Sequence, residues 1–147
     1  MTETDQQPEY IQQFRGRFVS AMKWHHLDEL WQRIKLNPRG WYIYAVDAQP
    51  PALAASTEQL LKFIDEVDLL LHEGHQEDYC GIVYADDLEN PQMIKIYDPD
   101  NLGVVCGFSD NPPLPGWVLS RSAPVELLSQ QQMTQQRKRW WQRIFSD

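Results

Sequence analysis

The residues with the strongest intrinsic chemistry in this 147-residue chain are two cysteines and four histidines, and their spacing limits what they can do. Cys80 and Cys106 are each followed by glycine and each fall in a run with strand character. Two cysteines in a chain without a secretory leader mostly serve as small buried hydrophobes. On neighbouring strands they could instead meet as a disulfide or share a metal. His72 and His75 lie shortly before Cys80, so that with Cys106 the chain holds a Cys2His2 donor set for zinc, the alternative to a protein without a cofactor. That set lacks the compact C-x2-C and H-x3-H pairs of zinc fingers, and Gly74 breaks the helical register that would align the two rings. A histidine in the last turn of a helix also has a plain role, facing the carbonyl end of the dipole. His25 and His26 are adjacent, so on a helix they point about 100° apart and make a poor chelating pair.

Asp47, Asp86, Asp87, Asp98, Asp100 and Asp110 fall at the ends of strand-like runs and offer oxygen ligands for Ca2+ or Mg2+. Asp98-x-Asp100-x-x-Gly103 begins like a calcium loop, but its fifth position is Leu102 and its twelfth is Ser109 rather than a bidentate glutamate. Turn formation is the role these aspartates suit best. No G-x-S-x-G elbow, no H-E-x-x-H and no glycine-rich phosphate loop occurs, which points away from an enzyme.

Two segments have the composition of contact surfaces. Pro112-Pro113-Leu114-Pro115-Gly116-Trp117 can present an extended proline face or dock its prolines on Trp117 of the same chain. Arg137-Lys138-Arg139-Trp140-Trp141-Gln142-Arg143 interleaves four cations with two indoles. Such a patch suits RNA, a membrane surface or an acidic partner, yet a chain of net charge −8 is a poor ligand for nucleic acid.

That −8 conceals a division: residues 1–40 carry +1, residues 41–120 carry −12 and residues 121–147 carry +3. Either the cationic ends fold back onto the acidic middle, or the middle leaves an acidic face for a basic partner.

The elements that must position these groups follow from hydrophobic period. Residues 1–9 are polar and without periodicity, a flexible terminus, and residues 10–147 read as one domain. From Tyr10 to Leu36 the apolar positions keep helical spacing but slip between Met22 and Trp24, which predicts two helices meeting near Met22 to His26. Asn37-Pro38-Arg39-Gly40 stops the helix and Trp41 to Val46 enters a strand. Ser56 and Gln59 form a capping box ahead of Leu60, Ile64, Val67 and Leu71, with Gly74 at the far end; the other face of this helix carries Glu58, Asp65, Glu66 and Asp68. Tyr79 to Ala85 and Met93 to Tyr97 predict a hairpin with a polar loop, Val104 to Phe108 and Trp117 to Ser120 further strands, and Pro124 to Phe145 a terminal helix.

The expected class is α+β: a single, mainly antiparallel sheet of three to five strands packed against N-terminal, middle and C-terminal helices, with those helices on one face. No apolar run approaches the roughly 20 residues of a membrane-spanning helix, which places the chain in the cytoplasm. The function this predicts is a small acidic, non-enzymatic binding module that takes a protein partner or self-associates. Asp86, Asp87, Asp98 and Asp100 would supply electrostatics, and Trp117, Trp140 and Trp141 apolar contact. The alternative is a metal- or thiol-dependent protein built on Cys80 and Cys106, with His72 and His75.

Overall fold

A computed structural model describes residues 9–74, 80–99 and 114–127. In chain order these form α1 (Glu9–Phe14), β1 (Val19–Ser20), α2 (Trp24–Leu36), β2 (Tyr42–Ala45), α3 (Thr57–Gly74), β3 (Val83–Ala85), β4 (Met93–Ile96) and β5 (Trp117–Ser120). The strands make one five-stranded sheet in the order β1-β3-β4-β5-β2, with every neighbouring pair antiparallel. The class is α+β, as the alternation of periods predicts.

The helical spacing of Tyr10 to Leu36 proves to be composite. The chain leaves α1 at Phe14, turns through Gly16 and runs as the edge strand β1 before α2 opens at Trp24. Pairing explains the difference: Val19 and Ser20 lie opposite Ala85 and Tyr84, and Ala21 N–H donates to Val83 O at 2.8 Å. A strand ladder thus satisfies backbone groups that a continuous helix would have satisfied locally.

The other boundaries follow local rules. α2 ends at Leu36, and Gly40 takes φ 85°, a left-handed conformation that glycine adopts without a Cβ penalty. Arg121 Nη2 donates to Asn37 O at 2.9 Å, its Nη1 donates to Arg39 O, and Trp41 Nε1 donates to Asn37 O at 3.1 Å, so that this turn is tied from both flanks. α3 opens on a reciprocal capping box: Gln59 N–H donates to Ser56 Oγ at 3.1 Å while Ser56 N–H donates to Gln59 Oε1 at 3.0 Å.

Both faces of the sheet are covered, where one was expected. Ile43, Ala45, Val83, Ala85, Ile94, Ile96, Trp117 and Leu119 pack against Leu27, Leu30, Trp31 and Ile34 of α2 and Leu60, Phe63, Ile64, Val67 and Leu71 of α3. The opposite face sends Tyr44, Met93 and Val118 into a second cluster with Val46 and Tyr10 of α1, flanked by Phe14, Phe18, Leu114, Val125 and Leu127. All four residues of β5 are buried, as befits a strand between two neighbours and beneath two layers. Pro124 to Leu127 are not helical, and Val125 and Leu127 lie against this second cluster instead. The remainder of the expected terminal helix lies outside the described residues, as does the expected strand at 104–108. Among the described residues no helix is long and apolar enough to cross a membrane.

Candidate functional site

The hairpin between β3 and β4 holds two of the aspartates expected at a binding surface, and both also organise the loop. Asp86 Oδ1 accepts Gln92 N–H at 2.9 Å and Met93 N–H at 3.1 Å, and its own N–H donates to Met93 O at 3.1 Å. Asp87 Oδ1 accepts Glu89 N–H at 2.9 Å and Asn90 N–H at 3.3 Å, an Asx turn. Asp87 is exposed; Asp86 and Asp98 are half-buried. Asp100 lies outside the described residues.

Trp117 is only 1% exposed and belongs to the core beneath α2 and α3. Its indole therefore offers no apolar contact to a partner. It occupies an inward position of β5, opposite Ala45 on one side and Ile96 on the other. Trp140 and Trp141 lie outside the described residues, as do Pro112 and Pro113 of the proline-rich loop.

The two described residues considered for zinc, Cys80 and His72, sit in different surroundings. Cys80 is fully buried just before β3, its N–H donating to Met22 O, and burial pushes its thiol pKa up against the opposing pull of the Ile82 and Val83 amides. His72 sits at the exposed end of α3, its ring stacked on Trp24 at 4.0 Å between centroids with 23° between planes. Its Nε2 lies 3.7 Å from Asp68 Oδ1, which also accepts the Trp31 indole N–H at 3.0 Å. This corner thus joins α2 to α3 through two indoles, an imidazole and one carboxylate. Among the described residues no three His, Cys, Asp or Glu side chains are placed to hold a metal ion. Cys106 and His75 lie outside them.

Where the cations go bears directly on the charge division. Arg33 of α2 donates to Leu88 O at 3.0 Å, Lys95 of β4 donates to Phe14 O at 2.7 Å and Arg121 donates to the carbonyls of Asn37 and Arg39. Arg121 also lies over the Trp41 ring, 4.4 Å from its centroid. Arg33 and Arg121, cations of the chain ends that could have folded onto carboxylates, are thus bound to backbone oxygen, and Lys95 and Arg121 also lie over aromatic rings. Lys35 with Asp65, at 3.6 Å, links α2 to α3 as an ion pair.

Sequence reasoning passed over Lys95. It stands in the central strand β4, opposite Tyr84 on β3 and Val118 on β5, on the face covered by α1 and by Phe18 of the turn that follows it. Its Nζ is 4.0 Å from the centroid of Phe14 and 3.9 Å from that of Phe18. Burial lowers its pKa to about 8. The available signal was a single charge inside the run Met93-Ile94-Lys95-Ile96-Tyr97, which strand alternation reads as a solvent-facing position.

Comparison of the chain with protein-family models, curated proteins and solved structures finds no match to any of them.

Proposed function

We propose that the chain is a small acidic, non-enzymatic binding module that takes a protein partner, through a basic segment of that partner or by self-association. The observation that carries this reading is the destination of Arg33, Lys95 and Arg121. Each donates to backbone carbonyls, so that among the described residues neither the end cations Arg33 and Arg121 nor Lys95, already counted within the −12 of residues 41–120, forms an ion pair with a carboxylate. The carboxylates suited to a partner are Asp87 and Asp98 beside the hairpin, together with Glu58, Asp65 and Glu73 on the outer side of α3, all three exposed there. Leu69, 54% exposed on the same helix, adds an apolar contact among them. Asp86 and Asp87 hold the loop with one oxygen each.

The experiment is an NMR titration of the full chain with a ten-residue Lys/Arg peptide, repeated at higher salt, with sedimentation to report self-association. Shift changes at Glu58, Asp65, Leu69, Asp87 and Asp98, with affinity falling about tenfold or more between 50 and 300 mM salt, are expected for an exposed electrostatic surface. A monomer that shows no shift changes at low salt, or whose binding survives Glu58→Lys with Asp65→Lys and Asp87→Lys, removes the acidic surface from the account.

A further inference from the structure

Lys95 differs from an ordinary surface lysine in its geometry. It projects from the middle of the sheet rather than from a helix, and its ammonium lies between the rings of Phe14 and Phe18, the residues that bracket the turn between α1 and β1. One of its three N–H groups is used, toward Phe14 O. Among the described residues no ion pair compensates for its half-burial. Among the described residues the titratable side chains on the elements around it are Glu9, exposed at the start of α1, and four phenols: Tyr84 directly opposite on β3, Tyr97 two residues on in the chain and edge-on to Tyr84 at 5.7 Å, Tyr44 beyond Val118 on β2, and Tyr10 on α1. Arg15 and Arg17 of the covering segment are exposed, as is Glu126 beyond β5.

An amine in this position is held in a fixed orientation, is partly stripped of water and, among the described residues, has no carboxylate paired with it. The ring faces favour the ammonium, whereas burial disfavours it and lowers the pKa to about 8. These are the conditions under which a lysine becomes a nucleophile near neutral pH. We propose that Lys95 is a reactive amine and an acceptor site for an acyl group delivered as a thioester, with Phe14 and Phe18 as the residues that position and desolvate it. In the reaction the free amine's lone pair adds to the thioester carbonyl carbon. The carbon–sulfur bond breaks, sulfur leaves with the bonding pair as a thiolate, and the proton lost from nitrogen goes to solvent. The products are an Nζ-amide and a thiol, with no change of oxidation state. The amide is neutral and keeps one N–H, so it suits a half-buried position whose neighbour is the Phe14 carbonyl.

Free base sets the expected size of the effect. With a pKa of about 8, about a quarter of Lys95 is unprotonated at pH 7.5, against about one part in a thousand for a lysine at its ordinary value. A weaker base is also a weaker nucleophile, as it is among thiols, and approach between two rings is restricted, which together leave about a tenfold advantage.

The test is competitive acetylation of the native, full-length chain by the acetyl thioester of N-acetylcysteamine, read by mass spectrometry at Lys95 against exposed Lys23 and Lys62. At pH 7.5 Lys95 is expected to label about tenfold faster than Lys23, and at pH 10.5 no faster, because ordinary lysines are then deprotonated too. Phe18→Ser, with its fold checked by circular dichroism, is expected to bring the ratio at pH 7.5 down toward one by letting water reach the ammonium. Equal labelling of Lys95 and Lys23 at pH 7.5 overturns the proposal. So does a ratio that rises in Phe18→Ser, because access rather than desolvation would then govern the rate. Should Phe18→Ser fail to fold, the pH dependence of the ratio in the unaltered chain decides alone.

Discussion

Replacing Asp86 tests whether its carboxylate closes the β3–β4 hairpin. One oxygen accepts two backbone N–H groups, from Gln92 at 2.9 Å and Met93 at 3.1 Å, at the point where the loop rejoins β4. A hydrogen bond to a charged acceptor contributes about 1.5–3 kcal/mol, and a half-buried site where water can replace the lost oxygen sits at the low end of that range. Asp86→Ala removes both bonds and is expected to cost about 2–3 kcal/mol, whereas Asp86→Asn keeps an acceptor in place and is expected to cost about 1 kcal/mol. For a chain of this length each kcal/mol moves the melting temperature by about 2–4 °C, so the alanine variant should melt about 5–10 °C lower. Urea unfolding provides the assay: the midpoint should fall with the slope unchanged, since the exposed area on unfolding is the same. The reasoning fails if Asp86→Ala lies within about 0.5 kcal/mol of the parent, the scatter of ordinary surface substitutions. It fails equally if asparagine costs as much as alanine, because the geometric role of the oxygen would then not be the one described. The pair also separates loop closure from electrostatics, since asparagine removes the charge while keeping the acceptor.

Trp117→Ala is expected to destabilise by about 3–5 kcal/mol, measured by urea unfolding, as a cavity opens between the sheet and the two helices; a cost below 1 kcal/mol would place the indole elsewhere. Ser56→Ala removes one half of the cap on α3 and should cost about 1 kcal/mol, read as a lower thermal midpoint, while Ser56→Asp should restore most of it. Lys95→Met probes linkage. The native pKa of about 8 lies below the ordinary 10.5, so Lys95 contributes stability that is present above the ordinary value and lost as pH falls through the native one. The stability of the parent relative to Lys95→Met should therefore improve from pH 8 to pH 10.5 and stay flat below pH 7; a difference constant over that window contradicts the lowered pKa.

Much of the architecture was legible because it depends on short stretches of chain. The Ser56 and Gln59 box, the stop at Asn37 to Gly40 and the hairpin between Ala85 and Met93 each rest on groups a few residues apart. The composite segment from Tyr10 to Leu36 was misread for the opposite reason. Phe14 and Phe18 are four residues apart, a helical interval, yet one ends a helix and the other precedes a strand whose hydrogen bonds go to residues 83–85. The same covering segment makes the solvent-facing reading of Lys95 untenable, since what closes over that face is more than 75 residues away in sequence.

By itself, then, the sequence determined the α+β class, the start of α3, the hairpin and the segregation of charge, because period, capping and composition act over a few residues. Tertiary structure decided which tryptophans are core, which aspartates hold a loop, and that among the described residues Arg33, Lys95 and Arg121 bind carbonyls rather than carboxylates. Those outcomes depend on which distant backbone groups folding leaves without a partner in reach of a long cationic side chain, and composition carries no record of that distance.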